Sequence, residues 1–408
     1  MTTWPRTGMY KEFKLGKPLS FARPFHGMFT EAPADFLQFL RESYAQPFVG
    51  ITVDGRPRRG LYHTEPSGIS TQPIVDAALR FLDCVDQLDF RAYVQQPFDS
   101  WHRRSWFNAA PLWMPAGILL DDLRPEQQKA ALDVAEQCLS PSGYMLLRKS
   151  MLVNQAMGEI FNFYTDTFRE MTVWFTIFGE PSTEQPWGWQ MLGTHIDINC
   201  TVVGDNMSLE PLFFGAEMTE IDQGRYVGLT VYHAEENAGV VLGRSLTGSQ
   251  RSKAIIFPSM CSADLPPELG GPIDGRHIGG AGRDNQIVPY AGVCAHDFSH
   301  EQRALLVDLI EVYLSRLPYE RQRIRRREIL EHLDETYVGW IGDPTTVPFY
   351  YRVHSPTLWI EFDHHPGLML EDAEDPIRYH VHTIFRSPNG GDYGNALVED
   401  YRQRSTEA

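Results

Sequence analysis

The sequence predicts an α+β fold, with a mainly helical N-terminal half packed on a β-rich half whose antiparallel or mixed sheet or barrel carries the site. Three observations predict it. Apolar residues recur at helical spacing through the first 180 positions. From Met171 the chain turns to β-branched and aromatic runs. Three of those runs alternate an apolar face with a face of His, Asp, Glu and Asn. The division is therefore a mainly helical region at 1–180 and a β-rich metal-site region at 181–408, together one integrated unit.

A short helix is expected over Ala34 to Tyr44. Gln72 to Leu88 places Ile74, Ala77, Ala78, Phe81, Leu82 and Val85 on one helical face. Asp121 to Leu139 opens with acidic residues and Pro125 and stops at Ser140-Pro141-Ser142-Gly143. A further helix is expected from Tyr144 to about Thr167. Strands are expected at Val173 to Phe178, Gln190 to Val203, Leu209 to Phe214, Tyr226 to Tyr232 and Ala254 to Phe257. The Gly/Pro-rich stretch from Leu265 to Asp284 reads as a lid or a surface loop. Ser299 with Gln302 forms a capping box for a helix reaching Leu317, and Pro318 separates it from a second helix over Tyr319 to Asp334. Strands return at Pro348 to Asp363 and Ile377 to Arg386, and the polar tail after Leu397 is expected to fray.

A net charge of -17 argues against nucleic-acid and anionic-membrane partners. The basic run Arg321 to Arg327 reads as the solvated face of a helix. No apolar run is long enough to span a bilayer. The five cysteines are scattered with no CxxC pair and read as reduced thiols. The N-terminal segment lacks the apolar core of a signal peptide, so a cytoplasmic location is expected.

The chemistry is expected where imidazoles gather. His380 and His382 lie two apart in a strand and project from one face, side by side, as a chelating pair. In the run from Thr194, His195, Asp197, Asn199 and Thr201 share a face. In the run from Thr357, Trp359, Glu361, Asp363 and His365 share one. A first-row ion needs neutral imidazoles at about 2.0–2.2 Å, open positions, and an anionic ligand where the pocket is partly dry. Glu361 is the first choice for that anion, Asp197 the second and Asp363 the third. His364 and His365, at a strand end before Pro366, are left outside the ligand set. The loop after Arg386 could be a plain turn, or it could aim Arg386 and Asp392 at the site, with Asp392 orienting a ligand imidazole. There is no GxSxG, no Walker lysine loop and no HExxH.

On these residues the chain resembles the family catalogued as domain of unknown function 3500. The matching pieces are Trp187-Gly188-Trp189-Gln190 with Gly193-Thr194-His195 and Asn199, then Tyr350-Tyr351-Arg352 with Pro356 and Ile360-Glu361-Phe362-Asp363. His380-Val381-His382 with Arg386 and Asp392-Tyr393-Gly394 closes the pattern and is its most specific part; Gly117-Ile118-Leu119 through Gly143-Tyr144 also fits. The family pattern has two adjacent histidines where this chain has Thr194-His195, which leaves His195 the sole ligand candidate there. The resemblance implies importance for Glu361, His380 and His382 and implies no reaction.

The expected metal ligands are therefore His195, Glu361, His380 and His382. Fe(II) is the first choice of ion, with Mn, Cu or Zn as alternatives. The expected function is an oxidoreductase, an oxygenase of a small organic molecule. Asp197, Asp363 and Arg386 are its catalytic candidates. Arg352, Trp187, Trp189 and Trp359 are its substrate-binding candidates. The alternatives are a zinc hydrolase or lyase, and a non-catalytic metal or ligand-binding protein. The expected partner is a small molecule, with homo-oligomerisation left open.

Overall fold

The computed structural model describes residues 34–86, 91–108, 116–161, 168–269, 276–367 and 375–407. In chain order its elements begin with α1 (Ala34–Ala45), α2 (Gln72–Asp86), α3 (Arg91–Val94), β1 (Gln95–Gln96), β2 (Ile118–Leu119), α4 (Pro125–Cys138) and α5 (Pro141–Phe161). Then come β3 (Val173–Phe178), β4 (Trp187–Gly193), β5 (Ile196–Val203), β6 (Asn206–Ser208), β7 (Leu212–Ala216), α6 (His233–Ser245), α7 (Gly248–Ala254) and β8 (Ile255–Phe257). The chain finishes with β9 (Val293–Cys294), α8 (His300–Leu314), α9 (Tyr319–Leu330), β10 (Tyr337–Ile341), β11 (Tyr350–His354), β12 (Trp359–Pro366), β13 (Pro376–Arg386) and α10 (Asn395–Glu407).

The strands form one open mixed sheet in the order β1-β3-β4-β5-β7-β13-β12-β11-β10-β8; β2 pairs with β3, β6 with β5 and β9 with β10. The fold is α+β, as expected. The sheet starts before residue 181, because β1, β2 and β3 come from the mainly helical region.

Alternation divides the sheet into two faces with different cover. Phe175, Trp189, Met191, Ile198, Phe214, Ile360, Phe362, Val381 and Phe385 point to the helices and bury against Phe81, Leu132, Met151, Leu306 and Leu309. The other face carries Trp174, Leu192, Phe213, Trp359 and Ile384. It is covered by Leu40 and Tyr44 of α1, by Trp106 and Phe107, and by Ala281 and Val288. The candidate site lies between the sheet and this second cover.

Several expected elements take a different form. The run from Gln190 to Val203 is a hairpin, because Thr194 and His195 form a turn between β4 and β5. Tyr226 to Tyr232 is no strand: Gly224, Gly228 and Tyr232 have positive φ, which breaks extended pairing. The helix expected from Tyr144 starts at Pro141, where the missing N–H is harmless, and the Ser140 hydroxyl accepts from the Gly143 N–H at 2.9 Å. It runs to Phe161, and residues 162–167 lie outside the described residues. The tail after Leu397 is helix α10, held by Leu397 and Val398 against Val203.

The basic run is helical, but only part of it faces solvent. Arg325 is wholly buried, bonded to Glu210 at 2.8 Å and Glu328 at 2.5 Å, and Arg321 is buried beside it. The Gly/Pro-rich stretch is not a surface loop over its described C-terminal part. Residues 276–284 form part of the second cover, and Arg276, His277, Ala281 and Asp284 are buried. Residues 270–275 of that stretch lie outside the described residues.

Candidate metal centre

β12 and β13 pair antiparallel with Asp363 opposite His382, Glu361 opposite Ile384 and Trp359 opposite Arg386. Residues opposite each other share a face. His380, His382 and Asp363 therefore face the cover, while Val381 and Phe362 face the helices.

His195 arrives from the β4–β5 turn. Its φ of 62° is left-handed, a conformation that a residue with a Cβ adopts only when its surroundings impose it. Its N–H donates to the carbonyl of Asn108 at 2.7 Å, and its own carbonyl accepts from Gly215 N–H at 2.9 Å. Gly215 also clears the space the rings occupy. A Cβ there would stand 2.9 Å from His382 Cδ2 and 3.1 Å from His195 Cδ2.

Three imidazole nitrogens converge. His380 Nε2 lies 3.1 Å from His195 Nε2 and 3.1 Å from His382 Nε2. His380 Nδ1 is 2.7 Å from the carbonyl oxygen of Pro366. A carbonyl only accepts, so Nδ1 carries the hydrogen and Nε2 presents a lone pair. One lone pair cannot serve two donors well, so hydrogen bonding alone leaves this cluster poorly satisfied. A cation bonded to all three nitrogens satisfies it. Bonds of about 2.0–2.2 Å at right-angled to tetrahedral geometry set the nitrogens about 2.8–3.6 Å apart, a range that contains the observed spacing.

Electrostatics keep the rings ready to bind. Burial, with His365 beside it, pushes His195 down to about 3. Burial and the same neighbour also push His380 and His382 well below the ordinary imidazole range. The three rings are therefore neutral at physiological pH, the form that binds a metal.

A second group adjoins the first. His277 Nε2 lies 3.3 Å from His382 Nδ1, and His277, Asp363 and His382 together could also hold an ion. Asp363 Oδ2 accepts from the Arg276 backbone N–H at 3.1 Å and stands 3.4 Å from His365 Nδ1. Burial alone would raise Asp363, but the His365 hydrogen bond and the charge of Arg276 hold it below the ordinary carboxylate value. The His365 ring packs on both His380 and His382, with centroids 4.7 and 4.4 Å away.

Of the four expected ligands the structure brings three together. Glu361 stands apart with both oxygens occupied. Oε1 accepts from Ile278 N–H at 2.7 Å and Tyr350 O–H at 2.7 Å; Oε2 accepts from Gly279 N–H at 2.8 Å and Trp359 Nε1–H at 2.9 Å. It anchors the 276–284 segment to the sheet. Gly279 is required for this approach, since a Cβ would lie 2.5 Å from Trp359 Nε1.

The catalytic and substrate-binding candidates also separate. Asp363 joins the cluster. Asp197 is fully buried on the same face, opposite Phe213, with no hydrogen bond to either oxygen, and burial holds its carboxyl well above the ordinary value. Arg386 turns away from the imidazoles. Its nitrogens donate to Asp392 at 2.7 Å, Asp284 at 2.6 Å and the Gly279 carbonyl at 2.8 Å. Burial alone would lower Arg386, but these two carboxylates hold it well above its ordinary value. Asp392 is correspondingly a partner of Arg386 and of the Ser387 N–H rather than of a ligand imidazole. Arg352 stacks over the Trp359 ring at 5.1 Å, on the cover side. Trp187 and Trp189 belong to the helix-facing core, and Trp189 Nε1 donates to Cys138 Sγ on α4 at 3.3 Å.

The pattern of alternation could not reveal His277, which sits in a Gly-rich segment without periodicity. His365 shares its face with Asp363 in the sequence, but its place before Pro366 gives it the look of a turn residue.

The family model described as "Protein of unknown function (DUF3500)" matches residues 67–395, so the chain belongs to that family. None of the curated proteins and none of the solved structures matches it. Among the described residues, no helix is long and apolar enough to cross a membrane.

Proposed function

We propose that this member of the DUF3500 family is a metal-dependent oxidoreductase whose centre is held by His195, His380 and His382. The observation that carries the proposal is the convergence of three buried, neutral Nε2 atoms, with 3.1 Å from His380 to each neighbour. Iron(II) is the first choice of ion, with copper, manganese or zinc as alternatives; imidazole donors suit several of these. When bound, iron, copper or manganese would supply one-electron chemistry toward dioxygen or a small organic substrate.

The chain's own groups supply the rest. The Pro366 carbonyl fixes the tautomer of His380 and aims its Nε2. Phe213, whose ring centroid is 5.1 Å from that of His382, helps exclude water from the rings. The ionised Asp363 stands opposite His382 on the neighbouring strand, outside the three-nitrogen set. Arg352 and Trp359 remain the groups that would meet a substrate carboxylate and its apolar part.

Metal analysis of untagged protein tests this reading, together with oxygen uptake in the presence of candidate substrates. Iron, copper or manganese near stoichiometry in wild type, lost in His380→Ala, supports it. Zinc as the sole stoichiometric metal would favour the hydrolytic alternative, with Asp363 as general base. Absence of any retained metal, with a melting temperature unmoved by chelators, would contradict both readings.

A further inference from the structure

We propose a second cation site, formed by His277, Asp363 and the far nitrogen of His382, so that the His382 ring bridges two metal ions. This rests on the three-histidine reading above and adds an ion to it.

His382 faces two ways. Its Nε2 is 3.1 Å from His380 Nε2, while its Nδ1 is 3.3 Å from His277 Nε2. The two nitrogens of one ring thus belong to two different donor groups. The three side chains of the second group are buried, and one ligand atom from each lies within 4.8 Å of the others. Asp363 supplies the anion that the first group lacks.

The independent observation is Asp363 Oδ1. Its carboxylate is wholly buried, and this oxygen accepts no hydrogen bond, whereas Oδ2 accepts from the Arg276 N–H. A buried carboxylate oxygen without a partner is strongly unfavourable unless something cationic completes it. A simpler arrangement has His277 Nε2 accepting from His382 Nδ1–H and merely orienting that ring. That arrangement explains the 3.3 Å contact but leaves Asp363 Oδ1 bare. A second ion accounts for both.

With one ion on Nε2, the neutral ring keeps its hydrogen on Nδ1. The second ion takes the place of that hydrogen, which leaves to water as a proton, and the ring bridges as imidazolate. No electron transfer is involved.

Copper(II) is the probe. Metal-free protein is titrated with it, passed through a desalting column, and assayed for bound copper and for paramagnetic signal. Wild type is expected to retain two ions per chain, with the spin count falling below the copper count as the second ion couples to the first through the ring. His277→Ala and Asp363→Asn are each expected to retain one ion with full spin count. Asp363→Asn is nearly isosteric and serves should His277→Ala fail to fold, as judged by circular dichroism. One ion of full spin count in wild type, unchanged in both variants, would overturn the second site and leave the three-histidine reading intact. No retained copper in any of the three would overturn both.

Discussion

Glu361 accepts four hydrogen bonds from four donors, so its replacement separates an anchor from a ligand. Glu361→Gln turns one acceptor oxygen into a donor that faces donors. Leaving buried groups unmatched in this way costs about 1–3 kcal/mol each. The expected outcome is a lower denaturation midpoint with metal content per folded chain unchanged. His380→Ala is expected to lose the metal. Gly215 makes the reverse point, because any larger residue must displace the rings. Gly215→Val is expected to lower metal affinity at least tenfold by competitive titration, although it removes no ligand. At this scale alternation placed His380, His382 and Asp363 on faces that meet, whereas His195, singled out as a strand residue, reaches the cluster from a turn where alternation does not apply. It could not disclose that Glu361 is claimed by backbone donors some eighty positions earlier, because nothing local to β12 records the approach of Ile278 and Gly279.

Among the elements, β13 carries two loads along one strand. Its middle presents His380 and His382. Its end presents Arg386, which ties Asp284, Asp392 and the Gly279 carbonyl together. Tyr393 O–H extends this to Asp284 at 2.9 Å and accepts from Trp106 Nε1–H at 2.9 Å, which links the N-terminal cover to the same knot. Removing one partner of a buried ion pair typically costs about 3–5 kcal/mol. Arg386→Ala is therefore expected to destabilise by roughly that amount in urea unfolding. It is also expected to increase amide exchange in residues 276–284 more than in β4 or β5. Uniform exchange changes would show that Arg386 does not hold the cover. Many strand and helix identities were readable from periodicity and capping, as with Ser299 and Gln302 heading α8, but the strand expected over Tyr226 to Tyr232 does not form and α6 and α7 were not foreseen. The β4–β5 turn was hidden because Thr194 and His195 lack the Asn-Gly or Asp-Gly signature of a tight hairpin. The packed fate of residues 276–284 was hidden because glycine-rich composition reads the same in a surface loop and in a buried strap.

For the molecule as a whole, the buried imidazoles make stability depend on pH. The folded chain keeps His195, His380 and His382 neutral, whereas the unfolded chain protonates them near the ordinary value of about 6.5. Below that pH the unfolded state binds more protons, so stability falls as pH falls. The slope is at most about 1.4 kcal/mol per pH unit for each ring, and for His195 it persists down to its folded value of about 3. Metal-free protein is expected to lose stability progressively below about pH 6.5 in denaturant titrations, and His195→Gln is expected to flatten that slope. The α+β class and the two-sided sheet were readable from the sequence because each face has its own period-two pattern. Which of the two covers seals the imidazoles was not, since Leu40, Tyr44 and Trp106 reach the site only through long-range packing.

The most direct test of the central claim is X-ray absorption spectroscopy on the metal-reconstituted chain. The expected spectrum shows at least three imidazole nitrogens at about 2.0–2.2 Å, and fewer of them in His380→Ala. An oxygen-only shell, or an imidazole count that His380→Ala leaves unchanged, would contradict the assignment of His195, His380 and His382 as the centre.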